Sequence, residues 1–128
     1  MTTTVLIVDD SKLARIVAAK AVTALKPSWQ RIEASNADEA LEMIAKHPVD
    51  VALIDFNMPG KNGVELAEEM RKVRPAMPIA LITANIQHEV VAAAKAINAV
   101  FVAKPLTQEG LQDFLEAAAV SLPAEDNS

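Results

Sequence analysis

The stretch from Val51 to Gly63, VALIDFNMPGKNG, decides the fold: an apolar run that ends in a single acid and passes into turn residues. A run of four such residues with Val and Ile among them is what a strand buried on both faces of a parallel sheet looks like. Asp55 is its last residue, and Asn57, Pro59, Gly60, Asn62 and Gly63 behind it predict a turn. Ligands and chemistry collect at the carboxyl ends of strands in open parallel sheets, so Asp55 stands where function is expected.

The same pattern recurs on either side. Val5 to Val8 is an apolar run that stops at Asp9 and Asp10, Ile79 to Thr83 is another, and Val100 to Ala103 ends at Lys104 and Pro105. Gln30 to Ala34 predicts a weaker strand with a polar edge. Between these runs the spacing changes to helical. Leu13, Ile16, Val17, Ala21 and Leu25 predict a helix that Pro27 ends. Asn36 and Glu39 offer a capping box for a helix to about Lys46, closed by Pro48. A helix from Val64 to about Arg74 ends before Pro75, and the alanines of Gln87 to Ala96 predict a fourth despite the β-branched pair Val90 and Val91. Thr107 can cap a last helix through Val120, with Leu111, Phe114, Leu115 and Ala118 facing inward. Five strand–helix alternations predict an α/β, doubly wound parallel sheet with helices on both faces, because right-handed crossovers leave few other solutions.

Bulk composition agrees. The 128 residues match one domain, expected over residues 1–121 with a polar tail over 122–128. Hydrophobic residues make up 52% and aromatics only 3%, so the core must be aliphatic. A net charge of −5 argues against direct nucleic-acid binding, which needs a basic footprint. The absence of cysteine removes disulfides and thiolate chemistry. No run approaches the ~18 apolar residues of a membrane span, and MTTTVLIVDD has no signal-peptide pattern, so a cytoplasmic location and no membrane partner are expected.

Asp9, Asp10 and Asp55 all fall at strand ends, and if the first and third strands are neighbours the three carboxylates share one pocket. Two like charges ~4 Å apart repel by about 4 kcal/mol at an effective dielectric near 20, so three need a cation or raised pKa values. All-oxygen ligation by few protein groups suits Mg²⁺ that keeps its waters and awaits a phosphate. The plainer reading is that Asp9 and Asp10 end a strand and cap a helix. Lys104 can reach across the same edge as a point charge for a phosphoryl group or for Asp55 itself, and Thr83 adds a hydroxyl. Together these groups supply the parts for phosphoryl transfer to a carboxylate. His47 and His88 read as surface side chains near helix ends, and Trp29 as packing beside the second strand. Ser11 and Lys12 line the start of the first helix, where solvation competes with partner docking as the explanation.

Read together, VLIVDDS, LIDFNMPGKNG, LITAN and FVAKPLT resemble the receiver domains of two-component response regulators, in the small chemotaxis-regulator-like form, over Val5 to Val120. The resemblance implies a flavodoxin-like strand order 2-1-3-4-5. It implies that Asp55 is the phosphoacceptor and that Asp10, Asp55 and the main-chain carbonyl of Asn57 ligate Mg²⁺, with Asp9 helping through water. Thr83 and Lys104 would bind the phosphoryl oxygens, and a cis peptide would precede Pro105. Thr83 and Phe101 would form the switch that alters the face of the fourth helix, fifth strand and fifth helix. Many relatives carry tyrosine at Phe101, so a switch here works through ring packing alone. Asn57 and Asn85 resemble positions that tune phosphoryl lifetime. The implied partners are a sensor histidine kinase or histidine phosphotransfer protein and an unknown downstream protein, with a monomer or a phosphorylation-dependent dimer as the acting form. The domain would catalyse only its own phosphorylation and dephosphorylation.

Two other readings differ in class. A phosphatase of the haloacid dehalogenase type also phosphorylates an aspartate after a strand, but it expects an acid two residues on, where Asn57 stands. A phosphorylation-independent protein-binding module leaves the acidic set without a purpose.

Overall fold

The computed structural model describes residues 3–58, 60–84 and 88–121. Five strands, β1 (Thr4–Val8), β2 (Gln30–Ala34), β3 (Val51–Asp55), β4 (Ile79–Thr83) and β5 (Val100–Ala103), alternate with five helices, α1 (Lys12–Leu25), α2 (Ala37–Lys46), α3 (Gly63–Val73), α4 (His88–Ala96) and α5 (Gln108–Ser121). All strand pairs are parallel, in the order β2-β1-β3-β4-β5. The predicted doubly wound sheet and its strand order are both present.

Alternation along each strand sorts the aliphatic residues into two layers. Val5, Ile7, Val51, Leu53, Ala80, Ile82 and Val102 pack against Ala18, Ala21 and Val22 of α1 and Leu111, Phe114, Leu115 and Ala118 of α5. Leu6, Val8, Ala52, Ile54, Ile79 and Leu81 pack on the other face against Ala40 and Ile44 of α2, Leu66, Ala67 and Met70 of α3 and Ala94 of α4. Both faces of the central strands are therefore dry, which is why their sequences read as unbroken apolar runs. Trp29 is buried in the α1/α5 layer, as its expected place beside β2 requires.

The face of α1 differs in part from the one its periodicity predicts: Ala21 is buried and Leu25 packs against the core as expected, but Leu13, Ile16 and Val17 do not turn inward. Leu13 is 70% exposed, Ile16 39% and Val17 41%, while Ala18, Ala21 and Val22 are buried. Only Asp9, Asp10 and Ser11 separate β1 from α1, so the helix starts level with the edge of the sheet and reaches over it only from Ala18 onward. Alanines let the helix axis approach the strands closely, and the larger side chains are left on the flank.

The predicted capping box of α2 is only half formed. Asn36 Oδ1 accepts from the Glu39 amide at 2.8 Å, but Glu39 Oε1 accepts from the amide and hydroxyl of Ser35, each at 2.8 Å, one residue farther back. A complete box closes α3 instead, where Asn62 Oδ1 accepts from Glu65 N at 2.9 Å and Glu65 Oε1 from Asn62 N at 3.0 Å. Thr107 caps α5 as predicted, its Oγ1 accepting from Gly110 N at 3.0 Å.

Candidate functional site

Register brings the strand ends together. Val8 pairs with Ile54 and with Ala34, Asp55 with Ile82, and Thr83 with Ala103, so Asp9 comes level with Asp55, and Lys104 follows the residue beside Thr83. The bonds Asp9 N to Ala34 O (3.1 Å), Phe56 N to Ile82 O (3.0 Å) and Lys104 N to Thr83 O (3.0 Å) carry the ladders one residue past the strands. Asp9, Asp55, Thr83 and Lys104 are thus held by sheet backbone up to the residue that bears each side chain, and Asp10 lies one residue beyond.

One carboxylate oxygen from each of Asp9, Asp10 and Asp55 falls within 4.8 Å of the others. Asp55 and Asp9 are buried and Asp10 is exposed, so the cluster has a dry floor and one wall open to water. Lys104 Nζ stands 2.7 Å from Asp55 Oδ1. The contact is a close ion pair. Burial lowers the Lys104 pKa, but contact with Asp55 and the pull of Asp55, Asp9 and Asp10 outweigh it, and the net shift is upward. Burial raises the pKa of Asp9; the Ser11 amide, donating to Asp9 Oδ1 at 2.9 Å, opposes that rise, while Asp55 adds to it.

A cation fits the donor chemistry of this cluster. It is all oxygen, it gathers three carboxylates against one lysine, and its open wall leaves room for water ligands, the requirements of Mg²⁺.

Thr83 is buried at the end of β4. Phe101, opposite Leu81, is half-buried against the α2/α3/α4 layer. Thr83 follows Leu81 by two residues, so alternation puts Thr83 and Phe101 toward the same face of the sheet. Asn57 is exposed in the loop after β3, and the bond between Lys104 and Pro105 is cis, as expected. His47 is exposed; Asn85, the His88 side chain and the 122–128 tail lie outside the described residues.

Two features escaped the sequence reading. Gly63 opens α3 directly beneath the end of β3: a Cβ there would lie 2.7 Å from the carbonyl oxygen of Asp55 and 2.8 Å from Cα of Phe56. Only glycine permits that approach, which Gly63 N fastens by donating to Phe56 O at 2.9 Å. Arg15 of α1 donates from its guanidinium to the main-chain carbonyl of Asp9 at 2.6 Å and to Glu33 Oε1 of β2 at 2.9 Å. The glycine's only local signal is its place after a turn. Arg15 carries no signal until β1 and β2 are known to be adjacent.

A response regulator receiver domain model matches residues 5–116, and the chain belongs to that family. It is 35% identical over 115 residues to the chemotaxis protein CheY homolog of Campylobacter jejuni, covering 87% of this chain and 88% of that one. It is 27% identical over 124 residues to the sporulation initiation phosphotransferase F of Bacillus subtilis, covering 96% of each. Among solved structures, the chemotaxis protein CheY4 of Vibrio cholerae matches with a TM-score of 0.83 and 27% identity, over 92% of this chain and 99% of that one. The chain spans about half, 52%, of the length of the glycerol metabolism activator of Pseudomonas putida, to which it is 30% identical over 114 residues. Receivers are the signalling modules of two-component systems; they bind Mg²⁺ through acidic residues and interact with histidine kinases or phosphotransfer proteins and with downstream targets. Among the described residues no helix is long and apolar enough to cross a membrane.

Proposed function

We propose that this domain is a phosphorylation switch that accepts a phosphoryl group on Asp55 from a phosphohistidine donor, a kinase or phosphotransfer protein. The observation that carries the proposal is the convergence of Asp9, Asp10, Asp55 and Lys104 on one sheet edge, the lysine paired with one of the three carboxylates.

In the reaction an Asp55 oxygen forms a bond to phosphorus as the donor's phosphorus–nitrogen bond breaks, and the imidazole, already protonated on its other ring nitrogen, leaves as the neutral ring. Asp10, Asp55 and the main-chain carbonyl of Asn57 would hold Mg²⁺, with Asp9 helping through water, and the ion would supply positive charge for the phosphoryl oxygens. Lys104 leaves its ion pair with Asp55 to meet one of those oxygens, and the Thr83 hydroxyl donates to another. Thr83 and Phe101 share a face of the sheet, so movement of the threonine toward the phosphoryl group frees space for the ring. That is how the α4/β5/α5 surface changes for a downstream protein. Asn57 and Asn85 set how readily water reaches the acyl phosphate.

The donor approaches past α1. Its exposed Leu13 and Val17 line, with Pro105 and Leu106, an apolar cleft of about 270 Å³ that also touches Asp9 and Lys104.

Intact-mass measurement with Mg²⁺ and a small acyl-phosphate donor tests the proposal. One phosphoryl adduct is expected, lost on chelation and in Asp55→Asn. Persistence of the adduct in Asp55→Asn overturns the assignment. Multiple turnover of phosphate esters would instead favour the phosphatase reading.

A further inference from the structure

We infer that Arg15 is a positioning residue for the acid pair, a guanidinium clamp that joins α1 and β2 to the backbone of Asp9 and so sets the geometry in which Asp9 and Asp10 face Asp55. The inference rests on the reading of the acidic cluster as a Mg²⁺ site.

Beyond Val8 the main chain leaves the sheet and turns into α1 within three residues, and both acids lie in that turn. Two bonds fix it from the inside: Asp9 N donates to Ala34 O, and Asp9 Oδ1 accepts from Ser11 N. Neither holds the carbonyl of Asp9, which begins the peptide that carries Asp10. Arg15 holds it, at 2.6 Å. The same guanidinium is pinned by Glu33 at 2.9 Å, and the Arg15 side chain is only 16% exposed. One planar fork therefore spans two acceptors, one in the loop after β1 and one on β2, which a lysine ammonium on a flexible stem cannot reproduce. Supports of this kind behind ligating carboxylates orient them for the metal.

The clamp makes a prediction opposite in sign to that of simple electrostatics. As a mere charge near the cluster, Arg15 repels Mg²⁺, and its removal tightens binding. As a positioning residue, its removal weakens binding.

Calorimetric titration of the full chain with Mg²⁺ alone separates the two, alongside thermal unfolding in metal-free buffer. Arg15→Gln is expected to weaken Mg²⁺ binding about tenfold, the size typical of lost support behind a ligand. Arg15→Lys, which keeps the charge but not the fork, is expected to recover only part of that loss. Glu33→Gln, which leaves the arginine in place with a weaker anchor, is expected to weaken binding less and in the same direction, and it serves alone if the arginine variants fail to fold. An unchanged or tighter constant in folded Arg15→Gln, or in Glu33→Gln where that variant serves alone, overturns the inference, as does full recovery in Arg15→Lys. A purely structural arginine would lower the melting temperature and leave the constant unmoved. Failure of the parent chain to bind Mg²⁺ defeats the metal-site reading and this inference with it, whereas parental binding that the variants leave unaltered defeats the inference alone.

Discussion

Lys104 Nζ and Asp55 Oδ1 lie 2.7 Å apart at the ends of two strands that are not neighbours, with β4 between them. Among the described residues Lys104 is the cation paired with a carboxylate of the cluster, and it stands against the one proposed to accept the phosphoryl group.

Breaking that pair exposes its contribution. Lys104→Met leaves Asp55 beside two other acids, and with Lys104 about one third exposed the solvent-screened loss is about 1–2 kcal/mol of stability. Denaturant unfolding checks it, and added Mg²⁺ is expected to stabilise this variant more than the parent. The pH dependence has a definite sign. Lys104 is raised above its unfolded 10.5, so its contribution is complete below 10.5 and fades as the pH rises through the higher folded value. The gap between parent and Lys104→Met closes over that alkaline window.

Gly63→Ala tests how closely α3 must approach Asp55. The added methyl meets backbone at 2.7 and 2.8 Å, which cannot yield as a flexible side chain would, so about 2–3 kcal/mol of stability and most of the labelling at Asp55 are expected to go. Gly60→Ala is the control. Its φ of +79° carries about 1–2 kcal/mol of strain for a side chain with no steric neighbour within 4 Å, and labelling is expected to persist.

Leu13→Glu separates docking from chemistry. The side chain is 70% exposed, so stability is expected to change by no more than about 0.5 kcal/mol. Phosphotransfer from a protein donor slows, while labelling by a small acyl phosphate is unchanged. Equal loss with both donors would place Leu13 in the chemistry instead.

The strands themselves, and the polar residues Asp9, Asp10, Asp55, Thr83 and Lys104 at their ends, were legible because buried parallel strands write themselves as apolar runs and the first polar residues at the end of each mark the sheet edge, whereas the strand order that makes these ends neighbours came from the family resemblance. The inward face of α1 was legible only in part. Period alone favours its largest side chains, Leu13, Ile16 and Val17, but the loop of only three residues before it fixes where the helix meets the sheet, and close packing there selects alanine. The cap of α2 misled in a milder way, because Glu39 found Ser35 as well as the helix start within reach. The box at Asn62 and Glu65 carries the same local signal, hidden inside a stretch that also reads as a turn. Arg15 and Gly63 act through contacts with residues far away in sequence or across a loop, and no window along the chain reveals those.

The most direct measurement is the identity of residue 55 after transfer. Phosphorylated protein treated with borohydride, which reduces an acyl phosphate to an alcohol, is expected to yield homoserine at position 55, with Asp9 and Asp10 intact and no conversion when Mg²⁺ is chelated. Homoserine at another aspartate, or conversion at 55 that is indifferent to Mg²⁺, would contradict the account.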